Sequence, residues 1–379
     1  MLLVGKRTNT AFTFWPHHIV GQGAEGVVYD AGAVCVKVFE RFDEREQFKV
    51  EALSRFAQKV PGVAWPSELV IDNSTKAVCG FVMPRATGKT LEYHLDERET
   101  RNWSTETKIG IALNIATTIA AAHAIKSPTM ALGDLIKSSN VVIDGTDVIF
   151  IDSNSVSIFR HRALDGTIID SVSSVTTPGF TPREVLENPH ALPSHAADRF
   201  ALAVLLFELL FGRSPTEPKP SPASIGLNLD DAIRNGMFLR YTSHSGFVPP
   251  TYDDIDVPQE IDMLFRSAFL SPAHERPTPE AWLNSLKAWH RDLEPPVDRT
   301  EMLQGLRRQR EMKRYAARAL FAFSAFAAVH WLFATAATAS ESNKDIGYPT
   351  KDFQPVQVDQ TLPALPRLAV GPACFKELF

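Results

Sequence analysis

Gly21-Gln22-Gly23-Ala24-Glu25-Gly26-Val27-Val28-Tyr29-Asp30-Ala31-Gly32-Ala33-Val34-Cys35-Val36-Lys37 is the stretch whose reading decides the fold. Gly21, Gly23 and Gly26 form a GxGxxGxV string, and glycines let a backbone approach phosphate oxygens without a Cβ in the way. A dinucleotide-binding α/β domain needs a helix opening directly on such a loop, and Val27 to Phe39 supplies none. HHIVGQGAEGVVYD reads instead as strand, glycine turn, strand, and AGAVCVKVFE alternates small, apolar and β-branched residues as a further strand does. Lys37 on that strand is placed to pair with the α- and β-phosphates of a nucleotide. Taken alone, the same lysine also fits a solvated edge strand.

Working outward, RFDEREQFKVEALSRFAQKV is charged, with Phe48, Leu53 and Phe56 near helical spacing, and reads as an amphipathic helix. Lys37 calls for a helix carboxylate as partner. Glu51 is the first choice, and Glu46, earlier in the helix, is the second. AVCGFVMPR is a short strand stopped by Pro84. From about Thr105 the period becomes helical: TKIGIALNIATTIAAAHAI reads as a long buried helix, DRFALAVLLFELLFG as an apolar helix capped by Gly212, and IDMLFRSAFL and PEAWLNSLKAWHRDL as two more. The chain thus reads as α+β, with a small β-rich lobe followed by a larger helical lobe over 14–293.

Between the long helix and the hairpin NVVIDGTDVIFID lies Ala131-Leu132-Gly133-Asp134-Leu135-Ile136-Lys137-Ser138-Ser139-Asn140. A carboxylate followed at short distance by an Asn fits a base that orients an acceptor hydroxyl, Asp134, and a metal ligand, Asn140. Asp152 ends the second hairpin strand, where a carboxylate can hold Mg²⁺ across the β- and γ-phosphates. Each of these is also an ordinary turn former. Their order behind the glycine loop and Lys37 makes the joint reading the stronger one.

These motifs resemble those of the protein kinase superfamily. Further strings agree with it: Thr177 to Glu184 resembles the segment ending in Ala-Pro-Glu, Asp198 the aspartate that braces the catalytic loop, and Glu275-Arg276-Pro277 the late Arg-Pro whose Arg pairs with Glu184. The chain is most similar to a bacterial kinase-like branch, some members of which carry helix-hairpin-helix DNA-binding modules; no such segment follows here. The resemblance implies a bilobed fold binding ATP and Mg²⁺. The nucleotide site would be formed by Gly21, Gly23, Gly26, Val28, Lys37, Glu51 and Met83, with catalysis by Asp134, Lys37 and Lys137 and metal binding by Asn140 and Asp152. Lys137 leans the acceptor toward serine or threonine of an unidentified protein.

The sequence departs from the family pattern in three places. Leu132-Gly133 replaces the usual His-Arg, so a phosphorylated activation segment has one fewer cationic partner. Activity is therefore expected not to depend strictly on Ser171, Ser173, Ser174 and Thr176. Asp134 and Asn140 are six apart, one more than the common pattern, and the extra residue is placed near Ile136. Asn154 occupies the position of a family glycine, where Asn tolerates positive φ. Two rival readings follow, an inactive nucleotide-binding scaffold and a small-molecule phosphotransferase. The activation-segment and Asp198 strings speak against the second.

The 379 residues are 44% hydrophobic and 22% charged, with net charge −5 and three cysteines. These values exclude a disordered chain, a disulfide framework and a general nucleic-acid coat. No nucleic-acid partner is expected. Cys35 and Cys79 lie on strands as small hydrophobes. A mean hydropathy of −0.09 averages over an uncharged run, 319–339, long enough at about 1.5 Å per residue to cross a bilayer. The run follows a linker and basic helix over 294–318, where six Lys and Arg face two Glu in EMLQGLRRQREMKRYAAR. It is read as one transmembrane helix, anchoring the protein in the bacterial inner membrane with the domain on the cytoplasmic side. The Pro-containing tail 340–379, which includes Cys374, reads as disordered.

Overall fold

In the computed structural model the described residues are 1–293, without 24, 57, 58, 127, 128, 163–165, 167, 174 and 189, together with 305 and 307–315. The chain divides into two units, Met1–Pro295 and Pro296–Phe379. In the second, residues 305 and 307–315 are helical and exposed.

The first unit opens with β1 (Leu2–Gly5), β2 (Ala11–Thr13), β3 (Ile19–Gln22), β4 (Gly26–Asp30) and β5 (Val34–Phe39). Helix α1 (Glu44–Leu53) follows, then β6 (Glu68–Asp72) and β7 (Val78–Pro84). These strands form a seven-stranded sheet in the order β2-β1-β6-β7-β5-β4-β3, with antiparallel neighbours throughout. The β1–β2 hairpin, upstream of residue 14, is therefore part of the same sheet.

Alternation along β5 sorts its side chains between two cores. Cys35 and Phe39 pack with Val50, Leu69, Phe81 and Met83 on the face covered by α1, while Val36 joins Leu3, Phe14, Val70 and Val82 on the other. Lys37 shares the phase of Cys35 and Phe39, which turns it toward α1 and the rest of the site. Asp43 caps α1 by accepting from Glu46 N at 2.9 Å. The face of α1 turned inward carries Lys49, Val50 and Leu53, not Phe48, which is 37% exposed.

The helical part contains β8 (Lys89–Thr90), α2 (Leu91–Asp96), α3 (Thr105–His123), β9 (Thr129–Ala131), β10 (Val141–Asp144) and β11 (Asp147–Phe150). After these come β12 (Ser157–Arg162), β13 (Ile168–Ser171), α4 (Arg183–Leu186), α5 (His195–Phe211), α6 (Leu229–Arg234), α7 (Gln259–Leu270) and α8 (Pro279–Leu293). Helix α5 is buried from Phe200 to Phe211 and apolar there but for Glu208, as befits a central helix. Phe200, Phe207 and Phe211 of α5 pack with Phe265 and Phe269 of α7 and Trp282 of α8 as one aromatic core, each Phe worth about 1.5–3 kcal/mol in burial. Gly212 ends α5 at φ 70, and a Cβ there would meet the Asp253 carboxylate at 2.6 Å.

The segment after α1 is stitched to the end of β11: Ala64 N donates to Phe150 O and Phe150 N to Gly62 O, both at 2.8 Å. This fixes the chain two residues before Asp152 and joins the two lobes where the site lies.

The transmembrane part of the expected fold, and with it the membrane partner and the inner-membrane placement, requires correction. Among the described residues no helix is long and apolar enough to cross a membrane, and residues 319–339 and the tail lie outside them. The described apolar helices, α3 and α5, spend their apolar surface on the globular core.

Candidate active site

Two clusters face each other across the junction of the lobes. On the sheet side, Lys37 is 7% exposed. Its Nζ donates to Asp152 Oδ1 at 2.5 Å and Asn154 Oδ1 at 2.8 Å, and it lies 3.4 Å from Glu25 Oε2. Asn154 Nδ2 donates to the same Glu25 oxygen at 2.8 Å. The glycine loop is thus tied by its own carboxylate to the lysine and to the segment after β11. Asp152 takes the left-handed conformation, φ 70, which is costly for a non-glycine residue and aims its carboxylate at Lys37. The positive φ expected at Asn154 is found here instead.

The glycines differ in what they permit. A Cβ on Gly26 would lie 2.1 Å from Val38 O, so the β4–β5 pairing itself demands glycine there. Gly21 and Gly23 meet nothing closer than ordinary contact and leave the loop's backbone open to a ligand. Val28 is paired with Lys37 across β4 and β5, and Met83 with Cys35 across β5 and β7. Both belong to the apolar layer on the Lys37 face.

On the helical side, Asp134 is 7% exposed. Its Oδ2 accepts from Lys137 Nζ and its Oδ1 from Thr177 Oγ1, both at 2.5 Å; Lys137 also reaches Thr177 Oγ1 at 3.2 Å. Asn140 Nδ2 donates to Asp134 O at 3.0 Å, which leaves its Oδ1 free to accept. The extra residue of this loop is absorbed by two 3-10 turns, Gly133–Leu135 and Ser138–Asn140, with Ile136 fully buried between them. Ile151 N donates to Asn140 O at 2.8 Å, so the clusters of Asp134 and Asp152 are held in register.

Asp198, at the start of α5, positions the Asp134 loop from beneath. Its oxygens accept from Leu132 N at 2.9 Å, Gly133 N at 2.8 Å and His123 Nε2 at 2.9 Å. Glu184 and Arg276 form a bidentate pair at 2.5 and 2.8 Å. Burial works to push the Glu184 carboxyl up, but the Arg276 guanidinium outweighs it and holds the group below its usual value.

One expected pair does not form. Glu51 turns away from Lys37 and meets Lys6 at 3.3 Å. The cause is helix phase: taking Phe48 as inward puts Glu51, one turn later, on the same face, whereas burial of Lys49 and Val50 turns both outward. Glu46 is the α1 carboxylate closer to the site. Burial pushes it up, while Lys49 and Lys37 pull it down. Lys49 is 3% exposed; burial lowers its ammonium, opposed by Glu46, Glu25 and Asp152. Glu25 and Lys49 are site residues the sequence reading passed over, and it named Asn154 and Thr177 without the contacts they make here. The i, i+4 spacing of Lys49 and Leu53 was the available signal for Lys49. Glu25 stood at a position that the glycine pattern leaves free.

The donors present suit a hard cation shared with a ligand. Asp152 and Asn140 offer oxygen, and among the described residues no three His, Cys, Asp or Glu side chains form a metal cage. Magnesium characteristically binds through one or two protein ligands plus phosphates. Ser174, one of the four activation-segment hydroxyls, lies outside the described residues.

No protein-family model matches the chain. The chain is similar to protein kinase YegI of Escherichia coli O157:H7, 27% identical over 304 residues, 74% of this chain and 45% of that protein. It is also similar to serine/threonine-protein kinase PkaB of Streptomyces coelicolor, 27% identical over 218 residues, 52% of this chain and 48% of that one. The chain thus spans about half the length of the curated relatives it matches.

Proposed function

We propose that this chain, a member of the protein kinase superfamily, is an ATP-dependent protein kinase that phosphorylates serine or threonine. The observation that carries this reading is the pair of clusters around Lys37 and Asp134, tied together through Asn140 and Ile151. ATP supplies the transferable γ-phosphoryl group, and a divalent metal, magnesium in this reading, neutralises the charge that builds on the phosphates. Lys37 holds the α- and β-phosphate oxygens beneath Gly21, Gly23 and Gly26. Asp152 and Asn140 Oδ1 hold the metal. Asp134 orients the acceptor hydroxyl and takes its proton as the oxygen bonds to γ-phosphorus and the bond to the β-phosphate oxygen breaks. Lys137, against Asp134, offers a cation to the γ-phosphoryl oxygens.

Thr177 supports the choice of acceptor. An aliphatic β-hydroxyl already fits against Asp134 Oδ1 at hydrogen-bond distance, and a serine or threonine brought to that carboxylate makes the same contact. Asp134→Ala is expected to lower transfer to a protein acceptor by about 10²–10⁴-fold, the usual worth of a positioned base, while nucleotide affinity changes little. Unchanged transfer in that variant removes Asp134 from the role.

A further inference from the structure

Among the described residues three lysines are buried, Lys37, Lys49 and Lys108, and they are not equally served. Lys37 has its hydrogen bonds to Asp152 and Asn154. Lys108, as deep as Lys49 at 3% exposure, donates to Leu210 O at 2.7 Å and to Asp253 Oδ2 at 2.9 Å. Lys49 lacks such partners. Glu46, Glu25 and Asp152 act on it through charge alone, and among the described residues no hydrogen bond or ion pair reaches its Nζ. It stands on the inward face of α1, which packs against the turn Ser153–Ser155 directly after Asp152. Lys37 repels its ammonium while Glu25 and Asp152 attract it, so it belongs to the carboxylate side of the cluster.

A buried ammonium without a hydrogen bond is costly, and burial holds this one below its ordinary pKa. An anionic oxygen entering the cluster relieves both effects. The nearby carboxylates are otherwise engaged: Asp152 with Lys37, and Glu25 with Asn154 and Lys37. Glu25, Glu46 and Asp152 also outnumber Lys37 and Lys49, so an anion that suits the place must bring a countercharge with it. A nucleotide polyphosphate carrying a divalent metal does so. With Asp152 on a metal that bridges the β- and γ-phosphates, the oxygens of those two groups lie on the Lys49 side of the cluster. Helix α1 thus turns inward a cation where a carboxylate was expected, while Glu51 pairs with Lys6.

We propose that Lys49 is a second phosphate-binding lysine, donating to oxygens of the β- and γ-phosphates of the bound nucleotide; the assignment rests on ATP being the ligand of the Lys37 site. Calorimetric titration of the purified chain with adenosine, MgADP and a magnesium-loaded non-hydrolysable ATP analogue compares the parent with Lys49→Met and Lys49→Arg. Lys49→Met is expected to weaken both phosphorylated ligands about tenfold, the usual worth of a charge-assisted hydrogen bond, and to leave adenosine within about twofold. Lys49→Arg keeps most of the affinity, because it returns the cation. In a Lys37→Met background the loss on Lys49→Met persists at about the same size, as it does for two direct contacts. A loss that vanishes there makes Lys49 an aid to Lys37 and overturns the proposal. Adenosine weakened as much as the phosphorylated ligands, or a Lys49→Met chain that no longer folds, makes Lys49 a structural residue and overturns it too, as do three unchanged affinities. A parent that binds phosphorylated ligands through Lys49 but transfers nothing to protein keeps the assignment and removes the phosphotransfer reading. A parent that binds none of the three ligands removes both.

Discussion

The two walls of the site are built by different means. The helical wall is a short loop whose amides at Leu132 and Gly133 are held by one buried carboxylate, Asp198, and whose Asp134, Lys137 and Asn140 meet one another at separations of three and six residues, with Thr177 reaching Asp134 and Lys137 from outside the loop. The sheet wall is assembled from far apart: Lys37 meets Asp152 at a sequence separation of 115 and Asn154 at 117, and a helix carboxylate contributes only as the phase of α1 allows. A wall fixed by local hydrogen bonds keeps its residues where their order suggests. A wall fixed by packing follows the helix face that burial selects.

The most severe way to break the comparison is to remove the brace of the local wall. Asp198→Asn puts an NH₂ group against at least one of three donors in a fully buried place. It is expected to cost about 3 kcal/mol or more, read as a lower urea midpoint with unchanged m, and to depress phosphotransfer with it. The sheet wall is sharpened by a matched pair. Glu25→Gln loosens the loop from Lys37 and should lower kcat/KM about tenfold, in line with the cost of small misplacements. Glu51→Gln, an exposed change at a surface pair, should stay within twofold. Equal losses in the two would restore Glu51 as the partner of Lys37.

The smallest effect concerns pH. The folded-state value of Glu184 lies below its ordinary 4.5. The Arg276 pair therefore adds stability that is fully present above the unfolded value and is lost as pH falls through the folded one. Glu184 is partly exposed, so the loss is modest. Tm measured from pH 7 down to pH 3 should fall less steeply in Glu184→Gln than in the parent; parallel curves would show that the pair contributes nothing.

Much of the helical wall was legible because its signals are local. FALAVLLFELLFG marks a central helix with a glycine cap, Asp198 stands at its start, and Asp134, Lys137 and Asn140 share one loop. The inserted residue was legible as a count, but its accommodation by two 3-10 turns around Ile136 was not. In the sheet wall, β5 showed its alternation and hence Lys37. The orientation of α1 was hidden because Phe48 is as apolar as Val50, and only packing against the sheet decides between them. The role of Asn154 was hidden because Lys37 and Glu25 lie 117 and 129 residues from it, and Glu25, only 12 residues from Lys37, stood at a position the glycine pattern leaves open. The 319–339 run lies outside the described residues, among which no helix is long and apolar enough to cross a membrane.

The account turns on Asp152, where the sheet wall and the helical wall meet. The most direct measurement is Mg²⁺-dependent transfer of the γ-phosphoryl group from labelled ATP to a serine-containing protein acceptor, by the parent chain and by Asp152→Ala. The account predicts transfer by the parent that needs Mg²⁺ and is lost in Asp152→Ala while the variant stays folded. Transfer that persists in Asp152→Ala, or a parent chain that is stabilised by nucleotide yet transfers nothing, would contradict it.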